Sequence, residues 1–285
     1  MPPLRPLPVP AAHRTRRPAL GSVLLLALSP ALALAQGGDT ARVVAAKPAT
    51  WHLQATAFHS QANNGIGTWR GQDVRLLYSG KRFSPFVSVG RQTRPAGHQE
   101  VAAVGSYVVL TPWAFTILGM GVAPDYGTVL FPKRRTDASL YLSVPKVRGL
   151  LVSGGVTDLR FTDPRTGGTI LSVGPTLYFG RGIYTASLFL NRDRASGARS
   201  SSWQTGAQWG TQGKYWVGAG MGAGNEAYRI LSATPFDARF RSRFYSAFAS
   251  KWITAGTGVS LRLDYEDKID AFQRRALGLS YFVDF

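Results

Sequence analysis

The alternation of apolar and polar positions is clearest in the last nine residues of the chain. The odd positions carry Leu277, Leu279, Tyr281, Val283 and Phe285, and the even positions carry Gly, Ser, Phe and Asp. Side chains of an extended strand point to opposite faces in turn, so this period of two gives a strand with one continuously apolar face. Such a face invites aggregation at the edge of a soluble sheet, whereas in a bilayer it faces lipid.

The same pattern recurs from Trp51 to the C-terminus, in segments of about ten residues separated by turns. No stretch has the 3.6-residue period of an amphipathic helix. We therefore predict an all-β fold, a transmembrane antiparallel up-and-down β-barrel of about 14 strands, with 12 or 16 as alternatives. The predicted strands are 51–59, 69–79, 85–93, 99–110, 113–121, 134–144, 150–160, 168–179, 182–191, 201–210, 214–223, 240–251, 256–266 and 272–285.

The predicted connections alternate in length, which supports the barrel. Short turns such as 111–112 and 180–181 would lie at the periplasmic rim, and longer loops such as 122–133 and 224–239 at the outer rim. Five tryptophans fall at predicted periplasmic ends, where amphipathic rings form an aromatic girdle at the headgroup level: Trp51, Trp113, Trp209, Trp216 and Trp252. A soluble sandwich is the alternative, but it leaves these features unexplained.

The N-terminal 35 residues have the pattern of an export signal. Arginines precede the apolar stretch 19–28, and Ala33-Leu34-Ala35 provides small residues for cleavage near Ala35. We predict a signal peptide at 1–35, a periplasmic lead-in at 36–50 and an outer-membrane barrel at 51–285. The predicted location is the bacterial outer membrane. The sequence contains no cysteine, which excludes a lipoprotein anchor, disulfides and thiolate metal sites.

The chain is strongly basic, with 33 Lys and Arg against 15 Asp and Glu. Removing the predicted signal peptide takes away four arginines and leaves 29 basic residues, a net charge of +14. The basic residues are scattered over strands and turns and match no nucleic-acid-binding motif. We expect no nucleic-acid partner. The expected partners are outer-membrane lipid or lipopolysaccharide and small anionic or saccharide solutes.

Several charged residues are candidates for the wall of the lumen. Arg239, Arg241 and Arg243 alternate with other residues at the start of one strand, which puts the three guanidiniums on one face. Arg75, Arg262, Asp264 and Glu266 are further lumen-lining candidates. One interpretation is a basic constriction that favours anions. The other is a network of Arg–carboxylate pairs that fills the barrel.

The sequence offers little for catalysis. His52, His59 and His98 follow the predicted signal peptide, and none stands in a recognisable nucleophile motif. His59 and Ser60 are adjacent, so on a strand they would point to opposite faces. We predict that the protein is not an enzyme, with no catalytic residue, no metal site and no cofactor.

The C-terminal and glycine-rich strands carry a family resemblance. Leu277, Leu279, Tyr281, Val283 and Phe285 resemble the C-terminal assembly signal of outer-membrane barrels, which implies the barrel-assembly machinery as a partner. Tyr215-Trp216-Val217-Gly218-Ala219-Gly220-Met221-Gly222 and the terminal Tyr281–Phe285 resemble the YaiO-type outer-membrane β-barrel family. This resemblance implies an outer-membrane location and a link to surface polysaccharide.

These observations lead to three hypotheses. The first is a passive channel or export porin for small anionic or saccharide solutes, with loop 224–239 as its constriction. The second is a non-conducting structural or adhesion barrel at the cell surface. The third is a lipid-modifying outer-membrane enzyme.

Overall fold

The structure, a computed structural model, describes residues 50–95, 97–124, 132–163, 165–226, 240–269 and 271–285. These residues form fourteen β-strands, and none of the described chain is a helix long and apolar enough to cross a membrane. The strands are β1 (Thr50–Ala62), β2 (Gly67–Ser79), β3 (Phe83–Arg94), β4 (Gly97–Thr111), β5 (Ala114–Val122), β6 (Arg134–Ser143), β7 (Leu150–Arg160), β8 (Gly167–Phe179), β9 (Gly182–Asp193), β10 (Arg199–Thr211), β11 (Tyr215–Glu226), β12 (Phe240–Trp252), β13 (Thr257–Lys268) and β14 (Phe272–Asp284).

The strands close into a single barrel. Each strand pairs antiparallel with its neighbours in sequence, and β1 pairs with β14 to complete the ring. The seam continues to the last residue, because the amide of Phe285 donates to the carbonyl of Trp51 at 2.9 Å and the amide of Trp51 donates to the carbonyl of Phe285 at 2.7 Å. Closure leaves no unpaired edge, as a strand-built span of a bilayer requires. The prediction of a closed antiparallel barrel of 14 strands is confirmed.

The two rims of the barrel differ in their connections. One rim, here called the turn end, holds the start of β1, the C-terminus and the short connections such as 112–113 and 180–181. The opposite rim, the loop end, holds the longer connections such as 161–166 and 194–198. The connections at the loop end are longer on average, but the alternation expected from the sequence is not strict, since 95–96 at the loop end has two residues and 144–149 at the turn end has six.

The connection between β1 and β2 is a tight turn at the loop end. Asn64 and Gly65 have φ of 55° and 74°, the left-handed conformation that Asn and Gly tolerate best. The carboxamide of Asn64 donates to the carbonyl of Ala271 at 2.7 Å, and the side-chain oxygen of Asn63 accepts from the amide of Gln273 at 2.7 Å. These bonds fasten the β1–β2 turn to the β13–β14 connection.

The outer face of the barrel is an apolar band. Seven outward residues on separate strands are 41% to 58% exposed: Leu118, Leu140, Val156, Leu171, Leu188, Leu261 and Leu279. The residues that alternate with them point inward and are mostly Gly, Ser, Thr and charged side chains. An apolar exterior around a polar interior is the arrangement of a membrane barrel, inverted from that of a soluble protein.

Five inward phenylalanines each lie directly opposite a glycine on a neighbouring strand. At each of these glycines, a Cβ would overlap the facing phenylalanine ring. The missing side chain therefore leaves room for the ring to lie along the inner wall. The pairs are Phe58–Gly71, Phe86–Gly105, Phe244–Gly222, Phe248–Gly218 and Phe282–Gly258.

The predicted strands coincide with the observed ones to within three residues at each end, and β7 matches fully. Most observed strands extend slightly beyond the predicted bounds, because pairing continues past the apolar band into polar residues. The predicted signal peptide, nearly all of the lead-in, Arg239 and segment 227–239 lie outside the described residues.

Candidate functional site

The inner wall carries opposite charges that pair along the same strand. On β6 the guanidinium of Arg135 makes two bonds to Asp137, at 2.7 and 2.6 Å, and Thr157 donates to the same carboxylate at 2.6 Å. On β13 the Nε of Arg262 lies 2.9 and 3.0 Å from the two carboxylate oxygens of Asp264. Residues two apart on a strand share a face, so each pair is built from one strand alone.

Arg75 occupies the inner wall on β2. Its guanidinium lies 4.5 Å from the ring centre of Phe86, a cation–π distance, and Asp73 and Tyr107 are its charged and polar neighbours. Phe86 is held flat by Gly105 on the next strand. The interior arginine therefore rests against an aromatic wall.

A cluster of buried charges lies inside the barrel at the loop end. We call Trp69, Arg94, Glu266, Lys268 and Arg274 the loop-end cluster; each is at most 6% exposed. Glu266 accepts from Arg274 at 3.0 Å and lies 3.4 Å from the amine of Lys268. The guanidiniums of Arg94 and Arg274 lie 4.3 and 5.0 Å from the ring centre of Trp69.

The loop-end cluster contains three cationic side chains and one carboxylate. Charges buried away from water need partners, and here Glu266 and the face of Trp69 supply them. Ala62, Ile66 and Phe272 pack around Trp69 and exclude water from the cluster. The barrel wall therefore has a basic, dehydrated region at this rim, formed by β2, β3, β13 and β14.

A second cluster lies inside the turn end. Ile183, Trp216, Trp252 and Phe282 form a buried apolar group, here called the turn-end cluster. The indole of Trp252 donates to Asp284 at 3.0 Å, and the other carboxylate oxygen of Asp284 lies 2.6 Å from the Nδ1 of His52. Asp284 thus ties β12 and β1 to the last strand from inside the barrel.

The charged residues predicted to line the lumen separate into two groups. Arg75, Arg262, Asp264 and Glu266 point inward. Arg241 and Arg243 point outward instead, because Ser242 and Phe244 take the inner positions of β12, where Phe244 meets Gly222. Their placement in the lumen was therefore wrong. The third member of that predicted cluster, Arg239, lies outside the described residues.

The five tryptophans of the predicted girdle lie on two different faces of the barrel wall. Trp51, Trp113 and Trp209 are outward and exposed, as a girdle requires. Trp216 and Trp252 are 4% and 8% exposed and belong to the turn-end cluster, so their placement in the girdle was wrong. All lie near the turn end, but position along the strand does not determine which face a residue occupies.

The residues of the proposed assembly signal have the outward placement expected from their alternation. Leu277, Leu279, Tyr281 and Phe285 are 48% to 63% exposed on the outer face. Val283 shares this face by alternation and is half-buried.

Sequence reasoning missed most of the loop-end cluster. Trp69 lies an even number of residues from Asp73 and Arg75 on β2, and Lys268 lies two residues from Glu266 on β13. The alternation therefore placed Trp69 and Lys268 on the inner face. Nothing in the local pattern, however, shows that five residues from four strands meet. That meeting depends on the register between strands.

The sequence of the barrel matches a known family of membrane proteins. The model of the YaiO membrane β-barrel domain matches residues 52–229, more than half of the chain. The chain belongs to this family. The YaiO-type resemblance is therefore confirmed, and the chain is an outer-membrane β-barrel protein.

Solved structures of other outer-membrane proteins resemble this YaiO-family barrel. OpdQ from Pseudomonas aeruginosa is 8% identical, with 83% of this chain and 97% of that chain covered and a TM-score of 0.48. An outer membrane channel from Pseudomonas putida is 12% identical, with 85% and 97% covered and a TM-score of 0.49. An anion-selective porin from Comamonas acidovorans is 8% identical, with 83% and 98% covered and a TM-score of 0.46. None of the curated proteins matches the sequence.

The described residues of the YaiO-family barrel contain no group of three or more His, Asp or Glu side chains placed to hold a metal ion. His59 and Ser60 occupy opposite faces of β1, with Ser60 inside and His59 outside, as the alternation predicts. The interior therefore offers paired charges, hydroxyls and aromatic surface as its chemistry.

Proposed function

We propose that this protein is a passive channel of the bacterial outer membrane for small saccharide or anionic solutes. The observation that carries the proposal is the set of five inward phenylalanines that face glycines. A ring that lies along the wall leaves the axis of the barrel clear, whereas a ring that projects inward would fill it.

The chemistry of the wall supports a polar solute. Its small hydroxyl side chains, such as Ser139, Ser172 and Thr185, are half-buried and point inward. The pairs Arg135–Asp137 and Arg262–Asp264 offer both donors and acceptors at fixed positions. Saccharides present hydroxyls that suit such a wall, and flat aromatic surfaces suit the apolar faces of sugar rings. The link to surface polysaccharide was implied by the family resemblance, and we propose it here because the same wall chemistry would suit such a solute.

An anion preference would come from the loop-end cluster. Its cations exceed its carboxylates, and it lies inside the rim through which a solute enters. Elsewhere on the described part of the wall, inward arginines lie beside acids, as in Arg135–Asp137 and Arg262–Asp264, so this part of the interior is not a basic tunnel. The predicted network of Arg–carboxylate pairs thus describes most of the wall better than a basic constriction does.

A non-conducting structural barrel is the second candidate. The loop-end and turn-end clusters are buried groups of large side chains inside the two rims, and both narrow the interior. If they close the passage, the protein would serve as a platform at the cell surface.

Conductance separates the two candidates. Residues 36–285 are refolded, a heat-dependent gel shift confirms that the barrel has formed, and single-channel currents are recorded in a planar bilayer. In parallel, liposomes carrying the protein are tested for swelling in solutions of mono-, di- and trisaccharides. Discrete current steps with size-dependent swelling support the channel. A folded barrel with neither response would exclude the channel and favour the platform.

A further inference from the structure

The outer face at the loop end carries a band of arginines that point away from the lumen. We define the outer arginine belt as Arg134, Arg160, Arg192, Arg199, Arg241 and Arg243. Each lies within four residues of the loop end of its strand. Each also occupies the same alternating positions of its strand as the outward apolar residues, and so points outward. The belt spans β6 to β12, about half of the circumference.

The belt directly borders the apolar band. Two and four residues below Arg192 on β9 are Leu190 and Leu188, both outward and exposed. Trp203 lies four residues below Arg199, and Tyr245 lies two below Arg243, again on the outer face. Because the apolar band marks the hydrocarbon of the bilayer, the belt lies at the level of the headgroups.

Like charges face each other within the belt. Arg134 is directly opposite Arg160, and Arg192 is directly opposite Arg199. Like charges in directly opposite positions destabilise a sheet unless an anion lies between them. This arrangement is costly in an empty belt and favourable in one that holds anions.

The described acids near the belt are few. Asp158 pairs with Arg160 at 2.6 Å and with Arg194 at 3.1 Å, so one carboxylate serves two guanidiniums. Asp267 lies opposite Arg243 on β13. Among the described residues, Arg192 and Arg199 have no acidic partner. The surplus charge of the belt is therefore available to an external anion.

The position of the belt in the bilayer and its arginine side chains together indicate which anion it binds. Arginine binds phosphate through a planar fork of donors and is more weakly hydrated than lysine, which suits the edge of a bilayer. The long connections of outer-membrane barrels face outward, so the loop end lies in the outer leaflet. The phosphorylated lipid of that leaflet is lipopolysaccharide.

We propose that the outer arginine belt binds the phosphate groups of lipopolysaccharide in the outer leaflet. The lipid anions screen the Arg134–Arg160 and Arg192–Arg199 pairs, and the guanidiniums in turn fix the lipid against the barrel. This proposal concerns the outer face alone and holds whether or not the lumen conducts.

The test uses the refolded barrel in detergent and diphosphorylated lipid A as the probe. Affinity is measured by titration, and stability by the temperature at which the heat-dependent gel shift occurs. The variant is Arg192→Gln with Arg199→Gln. The matched control is Lys81→Gln with Arg82→Gln, which removes the same charge from exposed positions at the turn end.

Four results are expected. Lipid A raises the unfolding temperature of the unchanged protein, and dephosphorylated lipid A does not. The belt variant binds lipid A about tenfold more weakly or worse, because two charge-assisted bonds are lost. The control binds as the unchanged protein does. Without lipid A, the belt variant is at least as stable as the unchanged protein, since its like-charge pair has been removed.

Three results would overturn the proposal. These are equal lipid A affinity in the belt variant and the unchanged protein, equal weakening in the control, and an equal stabilisation by phosphatidylglycerol, which would mean general attraction to anionic lipid. Should the double variant fail to refold, Arg192→Lys with Arg199→Lys keeps the charge but removes the fork. That variant should also bind lipid A more weakly, and unchanged affinity would reject the role of the guanidiniums.

Discussion

Phe244 lies directly opposite Gly222 on the neighbouring strand, and its ring covers the place where a Cβ of residue 222 would stand. The ring therefore depends on the glycine for its position along the wall. Replacing the glycine must move the ring, and the space toward which it can move is the lumen. The relationship links one missing side chain to the width of the passage.

A side chain at Gly222 should narrow the proposed channel. In Gly222→Val, the ring of Phe244 is displaced inward, the carbonyl oxygen of Trp203 must also shift, and single-channel conductance should fall clearly. Overpacking should also lower the free energy of unfolding by about 1–3 kcal/mol. The double variant Gly222→Val with Phe244→Ala should recover part of the conductance, because the displaced ring is gone while the new Cβ still lies 2.5 Å from the carbonyl oxygen of Trp203.

The control for this experiment is Gly119→Val. Gly119 also points inward, but the nearest atoms to a Cβ there are 3.8 Å away, so no ring is displaced. If Gly222→Val and Gly119→Val changed conductance equally, the phenylalanine would not set the width. Failure of Phe244→Ala to restore any of the current would contradict the proposal in the same way.

Trp209 and Trp216 lie near each other on adjacent strands but on opposite faces of the wall. Trp209 is 46% exposed on the outside and Trp216 is 4% exposed on the inside. In proteins with a single tryptophan, lipids brominated near the headgroup should quench Trp209 strongly and Trp216 weakly. Comparable quenching at both positions would contradict the inward placement of Trp216.

The selectivity of the proposed channel should respond to Arg262 and not to the arginines of β12. Arg262→Ser leaves the inward carboxylate of Asp264 without its partner, so the reversal potential in a salt gradient should shift toward cation preference. Arg241→Ser with Arg243→Ser removes two outward charges and should leave the potential nearly unchanged. A larger shift from the outward pair would contradict their placement on the outer face.

Asp284 should stabilise the seam of the barrel. Asp284→Asn replaces the charged acceptor that holds both His52 and Trp252, so the free energy of unfolding should fall by about 1–3 kcal/mol. Urea unfolding monitored by the gel shift would measure the change. Asp267→Asn is the control, since the carboxylate of Asp267 has no hydrogen-bond partner among the described residues. Equal midpoints for the two variants would show that the Asp284 contacts contribute little.

The terminal aromatic residue is proposed to act in assembly more than in stability. Phe285 is 63% exposed, and its backbone, not its ring, closes the seam with Trp51. Phe285→Ala should reduce the fraction of folded barrel in cells, while refolding in detergent stays as it was. Phe83→Ala, which removes another exposed outward ring at the same rim, should not affect assembly. An equal loss of folded barrel in Phe285→Ala and Phe83→Ala would indicate that exposed rings at this rim anchor the barrel in the membrane and that Phe285 has no special role in assembly.

The sequence by itself determined the strands and the barrel. The period of two is a property of the extended chain, so it can be read without knowing the neighbours of a strand. The turn residues and the alternating lengths of the connections gave the antiparallel order. The alternation also suits a soluble sandwich, and the export signal, the terminal aromatic strand and the tryptophans near one rim favoured a closed barrel in a membrane instead.

The tertiary structure decided which face of an ambiguous strand points inward and which residues meet there. On β12 both faces carry aromatic rings, and the polar residues are Ser on one face and Arg and Lys on the other. The pattern alone favoured the arginines as lumen residues. The glycines of β11 decide otherwise, because they accommodate Phe244 and Phe248 only on the inner side.

The formation of the loop-end cluster likewise depends on the tertiary structure. Trp69, Arg94, Glu266 and Arg274 are far apart in sequence, and each is an ordinary alternating residue of its own strand. They meet because the registers of β1 with β2, of β2 with β3 and of β13 with β14, together with closure at the seam, bring their strands to one level. Alternation within a strand is local, whereas register is fixed by the whole ring of strands, which is why only the folded barrel reveals the cluster.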